Sequence, residues 1–177
     1  MSCRKKAIAV CGGSEAGDKL LADAFEVGRR IVEAGCVLVC GGRGGVMEAA
    51  ARGGQEAKSE GASGLVVGIL LSDGLESGNE YLDVAIPTGM GVGRNIFVVR
   101  AADAVILLGG GAGTLSEAAH AWQLNKPIVA LVGSGGIAES LAGKSIDLRR
   151  SDAIVKAHSP EEAVAIALRF ANVVSPG

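Results

Sequence analysis

The chain has few of the residues on which nucleic-acid-binding and membrane proteins depend. Among its 177 residues are one Trp, one Tyr and three Phe, and the formal net charge is −2. Binding of single-stranded nucleic acid usually requires a basic face with stacking rings, so we expect no nucleic-acid partner. No apolar run approaches the roughly 20 residues of a transmembrane helix, and we expect no membrane partner. The apolar stretch at 7–10 is too short for a signal peptide, which predicts a cytoplasmic protein.

Histidine and cysteine, the usual ligands of structural zinc, are also few. The two histidines, His120 and His158, lie far apart in the sequence, and no two cysteines form a C-x-x-C pair. A structural zinc site needs clustered ligands at short spacings. We therefore predict no metal site, and we interpret the cysteines at strand ends as small buried hydrophobic residues. The four cysteines are Cys3, Cys11, Cys36 and Cys40.

Glycine, by contrast, is abundant. The chain contains 28 glycines, well above the usual share of roughly 7 per cent, while hydrophobic residues make up 49 per cent and charged residues 20 per cent. This apolar content excludes a disordered chain, and no glycine-every-third repeat suggests collagen. The glycines are expected to serve turns and close backbone approaches. We predict one packed domain over residues 1–177.

Short apolar runs alternate with helical patterns along most of the chain. Continuous apolar strands that alternate with helices predict a parallel sheet covered on both faces. We therefore expect a doubly wound, Rossmann-like α/β domain with about seven mostly parallel strands. The predicted strands are 7–11, 36–40, 65–71, 84–86, 104–108, 127–132 and 153–156. The predicted helices are 18–34, 46–59 (weakened by Gly53-Gly54), 91–102, 114–125, 137–142 and 159–170, the last with Ser159 as N-cap.

Three of these strands end in a pair of glycines. In a parallel sheet their carboxyl ends share one edge, which is where open α/β sheets bind ligands. Glycines leave backbone N–H groups uncovered there, and the following helix N-termini add positive charge. We expect an anion cradle for a phosphorylated small molecule, the alternative being that the glycines only form tight turns. The residues involved are Gly12, Gly13, Gly41, Gly42, Gly44 and Gly45, together with the loop 109–113.

Two familiar nucleotide-binding motifs are incomplete. The first turn, from Gly12 to Gly17, lacks a full G-x-G-x-x-G, and the second strand ends in Cys40-Gly41 where NAD enzymes place an acidic residue. We therefore exclude NAD. The segment 138–145 fits a loosened Walker A pattern, but a predicted short helix there replaces the required order of strand, loop and helix.

The segment from Gly89 to Glu117 resembles the LONELY GUY family, which was long mislabelled lysine decarboxylase. The family signature is an Arg-Lys pair, a strand and then P-G-G-x-G-T-x-x-E. Here Arg94 precedes the strand 104–108, and the sequence GGGAGTLSE follows, ending at Glu117. The segment 41–47, GGRGGVM, resembles the glycine-rich turn of that family before its Met. The resemblance covers most of residues 7–132.

Characterised members of this family are phosphoribohydrolases, which cleave a nucleoside 5′-monophosphate into free base and ribose 5-phosphate. The resemblance implies that Arg94 and Glu117 form a catalytic pair, since a carboxylate can stabilise an oxocarbenium-like sugar. It implies hydrolysis rather than lysine decarboxylation, with no cofactor requirement, neither NAD nor PLP. It also implies that the phosphate is held by Gly110, Gly111, Gly113 and Thr114.

Departures from the family signature leave a second hypothesis open. Gly109 replaces the Pro of the family, Asn95 replaces its Lys, and Val92-Gly93 stand where it usually has Met-His. The chain is more similar to a branch that includes the molybdenum-cofactor carrier proteins, which have the same fold and bind a phosphorylated pterin without known hydrolysis. The protein is therefore either a phosphoribohydrolase or a non-catalytic carrier of a phosphorylated cofactor.

Each of the singled-out side chains also has a purely structural interpretation. Thr114 and Glu117 have the spacing of a capping box, with Thr as N-cap and Glu as N3. Arg94 could be a solvated helix residue, because most arginines are exposed. Arg43 could either add charge to the cradle or simply face water. His120 is interpreted as a packing residue, because no nucleophile accompanies it in the motif.

The predicted helix over 91–102 carries four consecutive apolar residues, from Ile96 to Val99. A helix that is apolar all round is buried on every side, and a single sheet covers only one of them. We therefore predict a homo-oligomer, a dimer or tetramer, that associates through this helix with a contribution from residues 118–122.

Overall fold

Seven strands form one parallel sheet in the part of the chain that the computed structural model describes, residues 4–173. The strands are β1 (Ala7–Gly12), β2 (Val37–Cys40), β3 (Leu65–Leu70), β4 (Val84–Pro87), β5 (Ala104–Leu108), β6 (Ile128–Leu131) and β7 (Val155–Ala157). Their spatial order is β4-β3-β2-β1-β5-β6-β7, and all neighbours run parallel. The predicted doubly wound α/β fold is confirmed. The strand order reverses between β1 and β5, which is where such sheets bind ligands.

Within the same described residues, six α-helices cover the two faces of the sheet. They are α1 (Asp18–Glu33), α2 (Val46–Ser59), α3 (Asn95–Arg100), α4 (Ala112–Gln123), α5 (Gly136–Leu141) and α6 (Pro160–Val173). Alternate residues of β1 enter two separate cores, because side chains of a strand point to opposite faces. Ile8 and Val10 pack with α1, α2 and α6, whereas Ala9 and Cys11 pack with α3, α4 and α5.

Two helices begin at places that the sequence pattern did not predict. The predicted helix over 91–102 starts as a 3-10 helix, Gly91–Arg94, before α3. The predicted helix over 114–125 starts earlier, at Ala112, with Gly111 as an N-cap that makes no side-chain hydrogen bond. Thr114 therefore lies inside the first turn, and the capping-box interpretation of Thr114 and Glu117 is wrong.

Glycines in both α1 and α2 permit these two helices to pack closely against each other. A Cβ on Gly53 would lie 2.0 Å from the carbonyl oxygen of Phe25, and a Cβ on Gly28 would lie 1.9 Å from that of Ala50. Each helix therefore presents a glycine to the backbone of the other. Glycine lowers the intrinsic helix propensity of α2, but here it allows the two helices to approach each other closely.

Two other local signals, at Ser159 and at 138–145, have the outcome that the sequence predicted. The Glu162 N–H donates to Ser159 Oγ at 3.2 Å, so Ser159 is the N-cap of α6. The segment 138–145 lies on α5 and the chain after it, not on a strand-loop-helix unit, so it is not a Walker A loop.

Within residues 4–173, no helix combines the length and the apolar character needed to cross a membrane. The same residues contain no group of three His, Cys, Asp or Glu side chains placed to hold a metal.

The proposed oligomer contact needs correction at the residue level. Val98 and Val99 are fully buried in the core of the monomer, and so are Ala118 and Trp122 in α4. The apolar side chains from Ile96 to Val99 therefore do not all face solvent, because α4 and the sheet cover Val98 and Val99. The residue of this run that remains exposed is Phe97, at 41 %. Cys3, one of the four cysteines, lies outside the described residues.

Candidate functional site

A cavity of about 270 Å³ opens at the carboxyl end of the sheet, beside the point where the strand order reverses. Segments that follow β1, β2, β3 and β5 contribute to its walls, together with the 3-10 helix before α3. Such a convergence at a topological switch point is typical of ligand sites in α/β proteins. The lining residues are Gly12, Gly13, Ser14, Arg43, Met47, Leu71, Val92, Arg94, Asn95, Gly111, Gly113, Thr114 and Glu117.

The two glycine-rich loops meet at this cavity, as the sequence predicted. Arg43 from the loop after β2 and Gly111 from the loop after β5 both line it. Eight of the residues singled out from the sequence lie on its wall, and five do not. Those on the wall are Gly12, Gly13, Arg43, Arg94, Gly111, Gly113, Thr114 and Glu117. Those that lie behind or beside it are Gly41, Gly42, Gly44, Gly45 and Gly110.

Gly41 and Gly110 shape the site from behind. A Cβ on Gly41 would lie 2.3 Å from Nη2 of Arg94, so the guanidinium occupies the space that a side chain would take. Gly110 has a φ of +83°, and a Cβ there would lie 2.0 Å from Oγ1 of Thr114. These two glycines therefore permit the positions of Arg94 and Thr114.

The other glycines of the loop after β2 form the turn itself. Gly42 has a φ of +70°, and a Cβ there would lie 2.5 Å from Cδ2 of Leu70. Gly45 has a φ of +65°, and a Cβ there would lie 2.5 Å from the Gly13 carbonyl oxygen. The tight-turn interpretation applies to both. A Cβ on Gly44 would make only ordinary contacts, 3.6 Å from a carboxylate oxygen of Glu48 and 3.8 Å from the Ser14 carbonyl oxygen, and Gly44 lies outside the cavity wall.

Gly111 and Gly113 need a different explanation. A Cβ at either position would meet no atom within 4 Å, and neither residue has a positive φ. Alanine is favoured over glycine in a helix by about 1 kcal/mol, so nothing within the monomer requires glycine at position 113. Because both residues line the cavity, their missing side chains leave room for a ligand beside the start of α4.

The start of α4 also offers unpaired backbone donors. Its first backbone hydrogen bond runs from the Leu115 N–H to the Gly111 carbonyl at 2.9 Å. The N–H groups of Ala112, Gly113 and Thr114 precede that bond and have no partner within the helix. Together with the positive end of the helix dipole, they form a natural site for an anion.

A buried ion pair forms another part of the wall. Arg94 and Glu117 are each only 5 % exposed, and Nη1 of Arg94 lies 3.3 Å from Oε1 of Glu117. Nη1 also donates to Oδ1 of Asn95 at 2.8 Å, and Nη2 donates to the Gly41 carbonyl at 3.3 Å. Nε of Arg94 is buried without a hydrogen-bond partner among the described residues. Arg94 is therefore held in place, and its interpretation as a solvated helix residue is wrong.

The surroundings of Glu117 change its acidity. Burial raises the pKa of Glu117 to about 7, although the positive charge of Arg94 and a hydrogen bond with Cys11 act in the opposite direction. Burial also raises the pKa of the Cys11 thiol, and it raises that of Cys40 to about 11. Near neutral pH, Glu117 is thus divided between its acid and carboxylate forms while both thiols remain neutral.

Five residues of the wall were not predicted from the sequence as part of the site. Ser14, Met47 and Leu71 line the cavity from positions just after a strand or a glycine turn, which is the signal that could have identified them. Val92 and Asn95 were noted only as departures from a family signature. Val92 is 81 % exposed and adds an apolar side chain, while Asn95 orients the guanidinium of Arg94.

Asn79 supports the loop that carries Arg43. Its backbone N–H donates to the Gly42 carbonyl at 2.8 Å, and its Nδ2 donates to the Arg43 carbonyl at 3.0 Å. The loop between β3 and β4 thereby fixes the glycine turn after β2. The Arg43 side chain itself is exposed at the edge of the cavity.

Comparisons with known proteins agree with this fold. A protein of Archaeoglobus fulgidus is 44 % identical over 124 residues, which span 70 % of this chain and 78 % of that protein. The molybdenum cofactor binding protein of the phototrophic bacterium Rippkaea orientalis is 35 % identical, with a TM-score of 0.82 over 96 % of this chain and 99 % of that one. The molybdenum cofactor carrier protein of Chlamydomonas reinhardtii is 29 % identical, with a TM-score of 0.78 over 94 % and 98 %.

The comparison with protein families covers most of the chain. The model of the SLOG cluster4 family matches residues 5–164, a span that contains every residue of the cavity wall. The narrower assignment to the LONELY GUY family is not confirmed. This chain belongs to the SLOG cluster4 family.

Proposed function

We propose that this protein binds a phosphorylated small-molecule cofactor without transforming it, as a storage or carrier protein, with the molybdenum cofactor as the first candidate. The observation that carries the proposal is the start of α4, where Gly111 and Gly113 leave open space beside unpaired N–H groups. A phosphate ester matches both the charge and the hydrogen-bonding capacity of that position. The resemblance to the molybdenum cofactor proteins of Rippkaea orientalis and Chlamydomonas reinhardtii supports this choice of cargo.

The rest of the wall is consistent with a phosphate ester that carries an organic group. Arg43 adds positive charge at the edge of the cavity, where it can contact phosphate oxygens. Met47, Leu71 and Val92 contribute apolar surface on which the organic part of the ligand can pack. Under this proposal the backbone of Gly13 in the first turn lies within reach of the ligand, whereas the missing side chain of Gly12 makes room for Val46, since a Cβ on Gly12 would lie 2.5 Å from Cγ1 of Val46.

The test combines identification of bound ligand with a matched pair of variants. The protein is purified from a host that makes the molybdenum cofactor, and native mass spectrometry identifies what copurifies. We expect a phosphorylated species in the wild type and its loss in Gly113→Leu, because the leucine fills the space beside the start of α4. Gly17→Leu is the control, since a Cβ on Gly17 would also meet no atom within 4 Å, whereas Gly17 does not line the cavity.

Titration with ribose 5-phosphate and a phosphorylated pterin gives the second measure. Gly113→Leu should weaken binding at least about tenfold, which corresponds to about 1.4 kcal/mol. Its urea unfolding midpoint should stay close to that of the wild type. Equal binding by the wild type and Gly113→Leu, or no binding of either ligand by the wild type, would contradict the proposal.

A second candidate is hydrolysis of a nucleoside 5′-monophosphate by Arg94 and Glu117. The observation in its favour is that this buried pair borders the same cavity, with a carboxyl group whose pKa is about 7. Two similar solved structures, at 35 % and 29 % identity, are by contrast molybdenum cofactor binding and carrier proteins. We therefore rank this candidate second.

The two candidates are separated by an activity assay. Purified protein is incubated with a panel of nucleoside 5′-monophosphates, and ribose 5-phosphate is quantified. Release by the wild type that is abolished in Glu117→Gln would establish hydrolysis. Absence of release from every nucleotide, with binding of phosphorylated ligands retained, is the result expected of a carrier.

A further inference from the structure

The inference concerns the proton of Glu117, and it rests on the proposed function. Gly113, Thr114 and Glu117 line the same cavity from one helix, with Glu117 four and three residues after the other two. Residues at these spacings lie on one face of a helix, about one turn or 5.4 Å apart along the axis. An anion bound at the start of α4 is therefore a close neighbour of the Glu117 carboxyl group.

Of the two arginines on the cavity wall, Arg94 is buried beside Glu117, whereas Arg43 is exposed at the edge. Arg94 is the cation that contacts Glu117, and Nη1 makes that contact at 3.3 Å. When Glu117 is ionised, this guanidinium is largely neutralised by it, and a phosphate arriving at α4 meets a second negative charge in a buried setting. When Glu117 is protonated, the positive charge of Arg94 is available to the phosphate, and the repulsion disappears.

The other groups that face Glu117 cannot take over this change of charge. They are the guanidinium of Arg94 from the 3-10 helix, the Cys11 thiol from β1 and the Cys40 thiol from β2. Arginine stays charged in this range, and burial raises the pKa of both thiols. Arg43 lies at the edge of the cavity, and His120 lies three residues further along α4.

We propose that binding of the phosphorylated ligand is coupled to uptake of one proton by the Glu117 carboxylate. The proton comes from solvent and adds to a carboxylate oxygen, and no other bond forms or breaks. The site therefore holds its ligand more tightly as the pH falls and releases it as the pH rises. The pKa of about 7 for Glu117 supports this coupling, since it places the change of charge near neutral pH.

Sulfate is the main probe, because it stays a dianion throughout the range in which Glu117 titrates. Isothermal titration calorimetry is performed with sulfate between pH 6 and pH 9, and with ribose 5-phosphate between pH 7 and pH 9. We expect affinity to fall above about pH 7, with a slope that approaches tenfold per pH unit for one coupled proton. Affinity that is constant within twofold for both probes would overturn the inference.

Three variants assign the proton to its residue. Glu117→Gln mimics the protonated form, so it should bind sulfate with little dependence on pH. Glu48→Gln removes an exposed carboxylate outside the cavity wall, and His120→Gln removes the histidine on the same helix; both should keep the slope of the wild type. A slope that survives in Glu117→Gln, or that disappears in His120→Gln alone, would overturn the assignment.

A direct measurement covers the case in which Glu117→Gln does not fold. Carboxyl carbon NMR of the wild type follows the titration of Glu117 with and without saturating sulfate. A higher pKa in the presence of sulfate supports the coupling, and an unchanged pKa overturns it. Failure of the proposed function looks different, because neither sulfate nor any phosphorylated ligand would then bind at any pH.

Discussion

Glu117 and Asp103 are both buried carboxylates, and their surroundings shift their acidity in opposite directions. Burial acts to raise the pKa of Asp103, but hydrogen bonds from Arg4 and the Ala7 N–H outweigh it, and the pKa falls below its usual value. Arg4 makes contacts of 2.7 and 3.0 Å to the two carboxylate oxygens of Asp103. Glu117 has a single contact of 3.3 Å with Arg94, which is too little to offset its burial. The charge of Asp103 is thus secured, while that of Glu117 can vary.

This difference predicts a pH-dependent stability that Glu117→Gln should remove. The folded-state pKa of about 7 lies above the ordinary value of 4.5. The stabilising contribution of neutral Glu117 is therefore fully present below about pH 4.5 and is lost as the pH rises through about 7. Between pH 5 and pH 8, the free energy of unfolding of the wild type should fall by about 2 kcal/mol relative to Glu117→Gln. Urea denaturation of both proteins at the two pH values measures this difference, and a constant difference would contradict the shifted pKa.

At the scale of elements, the contact between α1 and α2 depends on glycine in both helices. Alanine would raise the helix propensity of either one by about 1 kcal/mol. A Cβ on Gly28 or Gly53, however, would stand within 2.0 Å of a backbone oxygen of the other helix. Backbone atoms cannot move aside as the end of a side chain can, so the steric cost should exceed the gain in propensity.

We therefore expect Gly28→Ala and Gly53→Ala each to lower the free energy of unfolding by about 2 kcal/mol or more, as overpacked sites commonly do. Gly17→Ala is the control, because a Cβ there meets no atom within 4 Å. Chemical denaturation of the three variants measures the effect. An increase in the free energy of unfolding in Gly28→Ala would contradict the prediction, because it would mean that α1 and α2 can move apart with little loss of stability.

The start of α4 shows what local sequence patterns can and cannot predict. The run of glycines after β5 correctly indicated a helix N-terminus at the ligand-binding edge. The spacing of Thr114 and Glu117 also fitted a capping box, but Glu117 instead contacts Arg94, which lies on a different element. The resemblance to a family signature had paired Arg94 with Glu117 as catalytic residues, but the local capping pattern could not identify a partner 23 residues away. The same limit applies to Gly41, whose missing side chain is explained only by the guanidinium of Arg94.

At the scale of the whole molecule, the order of the strands explains why residues from Gly12 to Glu117 form one cavity. The chain moves outward from β1 to β4 and then returns to place β5 beside β1. The alternation of strands and helices predicted a parallel sheet that binds ligands at its carboxyl edge, but not the order of its strands, so the edge on which the site lies followed from the sequence. The identity of all the wall residues did not follow from the sequence. Val92 and Asn95 reach the wall from a 3-10 helix and from its junction with α3, whereas this segment was predicted as regular α-helix.

An exposed apolar surface lies beside this cavity, at the edge of the sheet. Ile86 on the edge strand β4, Met90 and Phe97 are 44 %, 52 % and 41 % exposed. These three side chains line a shallow cavity of about 380 Å³, in which Arg100 contributes the charged side chain. Contiguous apolar patches of this kind often mark protein–protein contacts. We therefore propose this surface, rather than the buried side of α3, as the contact of the predicted homo-oligomer.

We expect the wild type to sediment as a dimer or tetramer at micromolar concentration and Phe97→Asp to sediment as a monomer. The substitution removes an apolar side chain from this surface and introduces a carboxylate whose burial in a contact would cost free energy even if it paired with Arg100, because both charges would lose their water. Leu148→Asp is the control, because Leu148 is a fully exposed apolar residue that does not line this surface. A monomeric wild type would remove the prediction. An oligomer that persists in Phe97→Asp would show that the contact lies on another face of the molecule, where the exposed apolar residues are unchanged by the substitution.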